Sequence, residues 1–262
     1  PLFWFKYAHF STVALDDLFG TGWILPKQEL PLGISFFTFQ QIGFLLVYSK
    51  INWDSAVNSI RRFFRYTLFV VFFPQLIVGP IVLFEEFLPQ LKHRRFLGFR
   101  STDVAVGLSL FAIGLAKKVM LADRIGRHVD PFFNAAESGQ TLGFFEAWLA
   151  GCGYTAQLLL DFSGYSDMAT GIARVFGIIL PINFFSPFKS SNMAQLWRRW
   201  HMTLTRFFTI HLFKVLTMDF SRRAKKLNLT GRPAYFLSGV LPSFLSFLVI
   251  GLWHGADWTF VC

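Results

Sequence analysis

Two histidines in aromatic settings are the residues best equipped for chemistry: His201 within WRRWHMTL and His254 within GLWHGA. Imidazole titrates near neutrality, and apolar surroundings favour its neutral, proton-accepting form. Such a base can take the proton of a hydroxyl as that hydroxyl attacks a thioester carbonyl. No Gly-x-Ser-x-Gly elbow stands near either histidine, so direct transfer is expected rather than an acyl-serine intermediate. A lone histidine in a membrane helix can simply bond a neighbouring helix. Two of them, each directly after a tryptophan (Trp200 and Trp253), point to function, with His201 and His254 as catalytic candidates and the tryptophans as substrate contacts.

Helices must position these groups. Asn192 followed by Gln195 reads as a capping box, which predicts a helix starting there. On that helix Trp197, Trp200, His201 and Leu204 would share one face, and Arg199 and Arg206 another. A second reading stands beside this one: an interfacial helix, with tryptophan at the headgroups and Arg199 and Arg206 snorkelling to phosphate. His254 ends a long uncharged stretch, beside Gly255, which permits close approach. Ionisable residues at membrane depth cost roughly 2.5–3.5 kcal/mol on insertion scales and tend to mark function. In DFSGYSDMATGIA, Ser163, Asp167 and Thr170 would share a polar face, able to line a cavity for a hydroxylated substrate or to contact another helix. Gly164 and Gly171 form a face suited to close helix packing. Asp161 and Asp167 are expected to be paired or wet. The run SRRAKK (221–226), with Arg198 and Arg199, could attract coenzyme A phosphates or serve as a cytoplasmic topology signal.

Composition sets the solvent. Of 262 residues, 53% are hydrophobic and 15% charged, whereas soluble domains carry about 25% charged residues. Thirty-five phenylalanines are more apolar surface than one soluble core of this size hides. The net charge of +10 sits in short clusters between apolar segments, which fits a nucleic-acid-binding face poorly and fits positive cytoplasmic loops. The fold expected is all-α, a polytopic transmembrane helical bundle in one domain over residues 1–262. Apolar stretches run over 31–49, 66–84, 104–120, 142–160, 207–216 and 233–253. Basic residues flank the second stretch on both sides: Lys50, Arg61, Arg62 and Arg65 before it, Lys92, Arg94, Arg95 and Arg100 after it. Pro74, Gly79 and Pro80 interrupt it, so a re-entrant or kinked segment is expected there. Cys152 and Cys262 lack metal or redox spacing; no metal site is expected, and Cys152 reads as a small packing residue. The chain starts at Pro1 without a signal peptide and reads as an internal piece of a longer protein.

PLGISFFTFQ, FFPQLIVGPI, DFSGYSDMATGIARVFGI, NFFSPFKSSNMAQLWRRWHMTLTRF and GLWHGADWTF occur here in this order. That series resembles the membrane-bound O-acyltransferase family, on the branch that acetylates bacterial exopolysaccharides such as alginate. The resemblance implies a multi-pass enzyme of the cell inner membrane with funnels from both sides meeting at a histidine. It implies His254 as the general base or acyl-transfer residue and His201 as its partner. It also implies acetyl-CoA as cytoplasmic donor with no bound cofactor, and a polysaccharide acceptor reached through periplasmic partner proteins. One departure matters: relatives continue after WRRWHMTLTRF with a RDYLYIPLGG-like stretch where this chain has FTIHLFKVLTMDF, so teichoic acid, lipid or protein acceptors stay open. His211 in that stretch reads as structural or interfacial. A transporter with a histidine proton relay is the rival class; it favours an inverted repeat, and no internal repeat is found.

Overall fold

The computed structural model describes residues 2–31, 33–48, 59–76, 79–92 and 96–260, so Lys50, Arg94, Arg95 and Cys262 lie outside the described residues. Among the described residues every regular element is helical. Two compact units are present, one of residues 1–43 with 204–262, the other of residues 44–203.

In the second unit, helix α3 (Ser59–Val71) stops at Phe72, a short turn α4 (Phe73–Leu76) follows, and the chain from Ile81 to Leu83 has no helical hydrogen bonding before α5 (Phe84–Leu91). The expected interruption is there. Gly79 is indispensable to it, because a Cβ would collide with the carbonyl oxygen of Pro74 and lie 2.6 Å from the Gln75 Cα. Phe69, Phe72, Phe84 and Phe87 stack around this break and, with Ile178 and Leu180, form the unit's core.

Helix α6 (Ser101–Glu137) is long and apolar enough to cross a membrane. It packs against α7 (Phe144–Val175), and small residues allow their backbones to touch. A Cβ on Gly107 would lie 2.6 Å from the Gly171 carbonyl oxygen, and one on Gly114 2.5 Å from that of Gly164. The expected glycine face is thus a close antiparallel contact. Charges are settled on the same pair. Asp167 meets Lys117 at 2.5 Å, Lys118 bridges Asp161 and Asp123 at 2.6 Å each, and Arg174 reaches buried Asp103 at 2.8 Å. Pairing offsets an insertion cost of roughly 2.5–3.5 kcal/mol per charge. Lys117 opens a π-helical turn, Lys117–Ala122, which locally widens α6 where these lysines face α7. Cys152 corrects an expectation: it is exposed, and its neighbour Gly153 makes the packing contact, with Val129 of α6.

The first unit contains α1 (Leu2–Phe19), a helix the sequence reading did not place, and α10 (Gly231–His254), which with α6 is, among the described residues, long and apolar enough to span a membrane. Helix α2 (Ile34–Tyr48) is apolar but shorter, with 15 residues. In sequence between α2 and α10 lies α9 (residues 202–226), whose first two residues belong to the second unit and which contains a π-helical turn at Thr209–Phe213. Large apolar side chains stay exposed along α10 (Phe244, Phe247) and at the start of α7 (Phe144, Phe145), the kind of surface that lipid covers.

Candidate active site

The predicted start of the helix before His201 is correct and its continuation is not. Asn192 caps α8 (Met193–Arg199), its side-chain oxygen accepting from the Gln195 N–H at 2.8 Å, while Gln195 reaches back to the N–H of Ser191. Asn192→Ala is expected to cost about 1 kcal/mol, read as a lowered thermal midpoint of the full-length protein in detergent.

The helix then breaks. Trp200 is extended and His201 adopts a left-handed conformation, φ 41°, before α9 begins at Met202. The shared face of Trp197, Trp200, His201 and Leu204 therefore does not exist. The reason is tertiary: the segment around Asn183 pairs with the break. The Asn183 carbonyl accepts from Met202 N–H at 2.8 Å, and Phe185 N–H donates to the Arg199 carbonyl at 3.0 Å. Those bonds satisfy backbone groups that a continuous helix would have satisfied itself.

His201 is 4% exposed and walled by phenyl rings. Phe162 of α7 meets it edge-on at 4.7 Å, Phe184 stacks at 6.1 Å, and Trp200 packs on Phe184. Its Nδ1 lies 2.9 Å from the side-chain oxygen of Asn183, a residue 3% exposed. Asn183 also holds Thr203 and the hydroxyl of Ser166, again on α7. Asn183 was missed from the sequence, where it reads as one polar residue in NFFSPF. A left-handed non-glycine residue costs about 1–3 kcal/mol, so its persistence at a buried imidazole marks the position as over-determined.

The other substrate candidates of this unit are dispersed. Ser163 is buried on α7, and Asp167 is tied to Lys117. Arg199 lies over the Phe185 ring at 5.5 Å, and Arg198 is exposed.

His254 belongs to the first unit. It is the last residue of α10, exposed, with the Trp253 ring at 4.6 Å. The motif around it folds back on itself. Phe260 returns onto Gly251 and Gly255, and a Cβ at either glycine would collide with it. Asp257 shapes this return: its carboxylate accepts from the Thr259 N–H and hydroxyl, which holds it below the usual carboxylate range. Helix α1 closes the end of α10. The Tyr7 hydroxyl donates to the Leu252 carbonyl at 2.9 Å, and the Lys6 ammonium donates to that of Trp253 and lies over the Trp253 ring. Last-turn carbonyls need such donors. Lys6 and Tyr7 were also missed, although a lysine within an aromatic helix signals a partner. Trp253 further walls an apolar groove of about 440 Å³ with Tyr7, Phe10, Phe39, Phe208 and Leu252. The lysines and arginines of 221–226 are solvent-facing at the end of α9, with Arg223 paired to Asp219.

A family profile described as MBOAT, membrane-bound O-acyltransferase family, matches residues 3–262. The chain belongs to the membrane-bound O-acyltransferase family. Among its relatives in that family, a "Peptidoglycan O-acetyltransferase" of Helicobacter pylori is 39% identical over 98% of this chain and 50% of its own length. A "Probable alginate O-acetylase AlgI" of Pseudomonas aeruginosa is 34% identical over 98% of this chain and 46% of its own length. A "Teichoic acid D-alanyltransferase" of Streptococcus thermophilus is 29% identical over 88% of this chain and 53% of its own length. The chain thus spans about half the length of the curated relatives it matches.

Proposed function

We propose that the full-length protein is an O-acetyltransferase of the cell inner membrane. It moves acetyl groups from acetyl-CoA, on the cytoplasmic side, to hydroxyls of an extracytoplasmic polysaccharide, working with periplasmic partner proteins. His254 is its general base and His201 the partner of that base. The observation that carries this reading is a buried imidazole, His201, held by an amide in a phenyl-walled site of a chain that matches O-acetyltransferases along 98% of its length. The relatives named for acetylation act on glycans, either peptidoglycan or alginate by their names, and they exceed in identity the relative named for D-alanyl transfer.

In chemical terms, a neutral imidazole takes the proton of the sugar hydroxyl as its oxygen attacks the thioester carbonyl; the thiolate of coenzyme A leaves, and an ester forms. The phenyl rings around His201 exclude water there, which would otherwise compete as acceptor. Mass analysis of envelope and secreted polysaccharides from cells with and without the gene tests the assignment. Loss of O-acetyl esters from a glycan is expected. Unchanged glycan acetylation with loss of another ester, on teichoic acid or lipid, would overturn it.

A further inference from the structure

The hydrogen bonds around Asn183 have a direction that can be worked out from backbone donors alone. The Thr203 N–H points to the Asn183 side-chain oxygen at 3.3 Å, and an N–H can only donate, which identifies that atom as the oxygen. The Ile81 N–H donates to the Thr203 hydroxyl oxygen at 3.0 Å, and the hydroxyl passes its own proton on to the same Asn183 oxygen at 2.8 Å. The Asn183 amide NH₂ donates in turn to Ser166 at 3.1 Å. An amide oxygen cannot donate, so at 2.9 Å His201 Nδ1 must carry the hydrogen. From this we propose that Asn183 is a positioning residue that locks His201 in the Nδ1–H tautomer, so that its Nε2 carries the lone pair and is the nitrogen through which His201 serves as the partner of the general base. The inference rests on the reading of His201 as a working residue, and adds to it which nitrogen works and what orients it.

The arrangement also explains why the break at Trp200–His201 and the interrupted segment after α4 belong together. Ile81 comes from that interrupted segment, Asn183 from the irregular chain after α7, Ser166 from α7 and Thr203 from the start of α9. The amide bonds α7 through Ser166 and the 201–203 stretch through His201 and Thr203, and Thr203 links it on to Ile81, which a merely space-filling side chain would not require. The amide is neutral, so it orients the imidazole without favouring its charged form. Among the described residues of these elements, Asp161 pairs with Lys118, Asp167 pairs with Lys117, Arg199 lies over Phe185, and Arg198 is exposed.

The test uses the full-length protein in membranes, with acetyl transfer followed against pH for Asn183→Asp and Asn183→Leu. Asn183→Asp keeps an acceptor for Nδ1–H but places a negative charge beside the ring, which favours imidazolium and converts Nε2 into a donor. Its acid limb of kcat is expected to move up by about one to two pH units, with activity recovering at high pH. Asn183→Leu removes the acceptor and is expected to lower kcat about 10- to 100-fold at every pH, with KM for the donor within about twofold. An Asn183→Asp protein present at normal membrane level whose pH profile superimposes on that of the unmodified protein would overturn the proposal. So would Asn183→Leu with undiminished kcat. A His254→Ala protein assayed alongside separates the two ideas: if it retains full transfer, the functional reading falls; if it is inactive while the Asn183 variants behave as unmodified, the positioning role alone falls.

Discussion

His254→Ala in the full-length protein is expected to reduce acetyl transfer about 10²- to 10⁴-fold, the range that removal of a positioned general base produces, with its membrane level unchanged. The second half of that expectation follows from geometry. His254 is the exposed last residue of α10, and its ring contacts the Trp253 ring. What closes the helix end is not this imidazole. Lys6 and Tyr7 bond the backbone carbonyls of Trp253 and Leu252, and Phe260 packs on Gly251 and Gly255, all of which an alanine at 254 leaves in place. Surface substitutions away from such features usually stay within about 0.5 kcal/mol of neutral. Ester content of the acceptor, measured by mass analysis, with protein level and thermal midpoint measured on the same membranes, checks both halves. Retained acetylation at normal protein level would remove His254 from the chemistry.

Gly171→Val is expected to have the largest effect on folding. Gly171 and Gly107 hold α7 and α6 at backbone contact. A Cβ at 171 would collide with the Gly107 carbonyl oxygen and lie 2.7 Å from the backbone N of Phe111. These obstacles are backbone, not the ends of flexible side chains, so relief requires the helices to move apart. Separation would also undo the contact at Gly114 and Gly164, seven residues along each helix, and stretch the Lys117–Asp167 and Lys118–Asp161 pairs. Overpacking of this kind costs about 3 kcal/mol, the upper part of its usual range. Loss of the protein from the membrane fraction, or a thermal midpoint in detergent lowered by several degrees, is the expected reading. Gly151→Ala is the matched control, because a Cβ there meets nothing within 4 Å. A Gly171→Val protein as stable as that control would show that the helix pair does not depend on this contact.

Much of this was legible in the residues themselves. Local features need local causes: the Asn192 cap, the proline- and glycine-broken segment after α3, and the glycine spacing on α7 all act over a few residues. The family was legible too, because long motifs rich in rare residues survive in order, and the family match over residues 3–262 agrees. Helix periodicity misled at one place. It carried α8 through Trp200 and His201, because a helical pattern scores only neighbours three and four residues apart. What breaks the helix there is Asn183, eighteen residues earlier, whose carbonyl and side chain take over the bonds of Met202, His201 and Thr203.

By itself the sequence determined an all-helical, lipid-compatible chain, the Asn192 cap, the break after α3, and the residue types able to accept a proton. Tertiary structure decided which atoms those residues present: the tautomer of His201, the partners of Asp161 and Asp167, and the closure of α10 by Lys6 and Tyr7. The reason is range. Backbone preference and hydrophobic period are properties of adjacent residues, whereas a hydrogen-bond direction at a buried imidazole depends on donors and acceptors that chain folding gathers from Ile81, Ser166, Asn183 and Thr203.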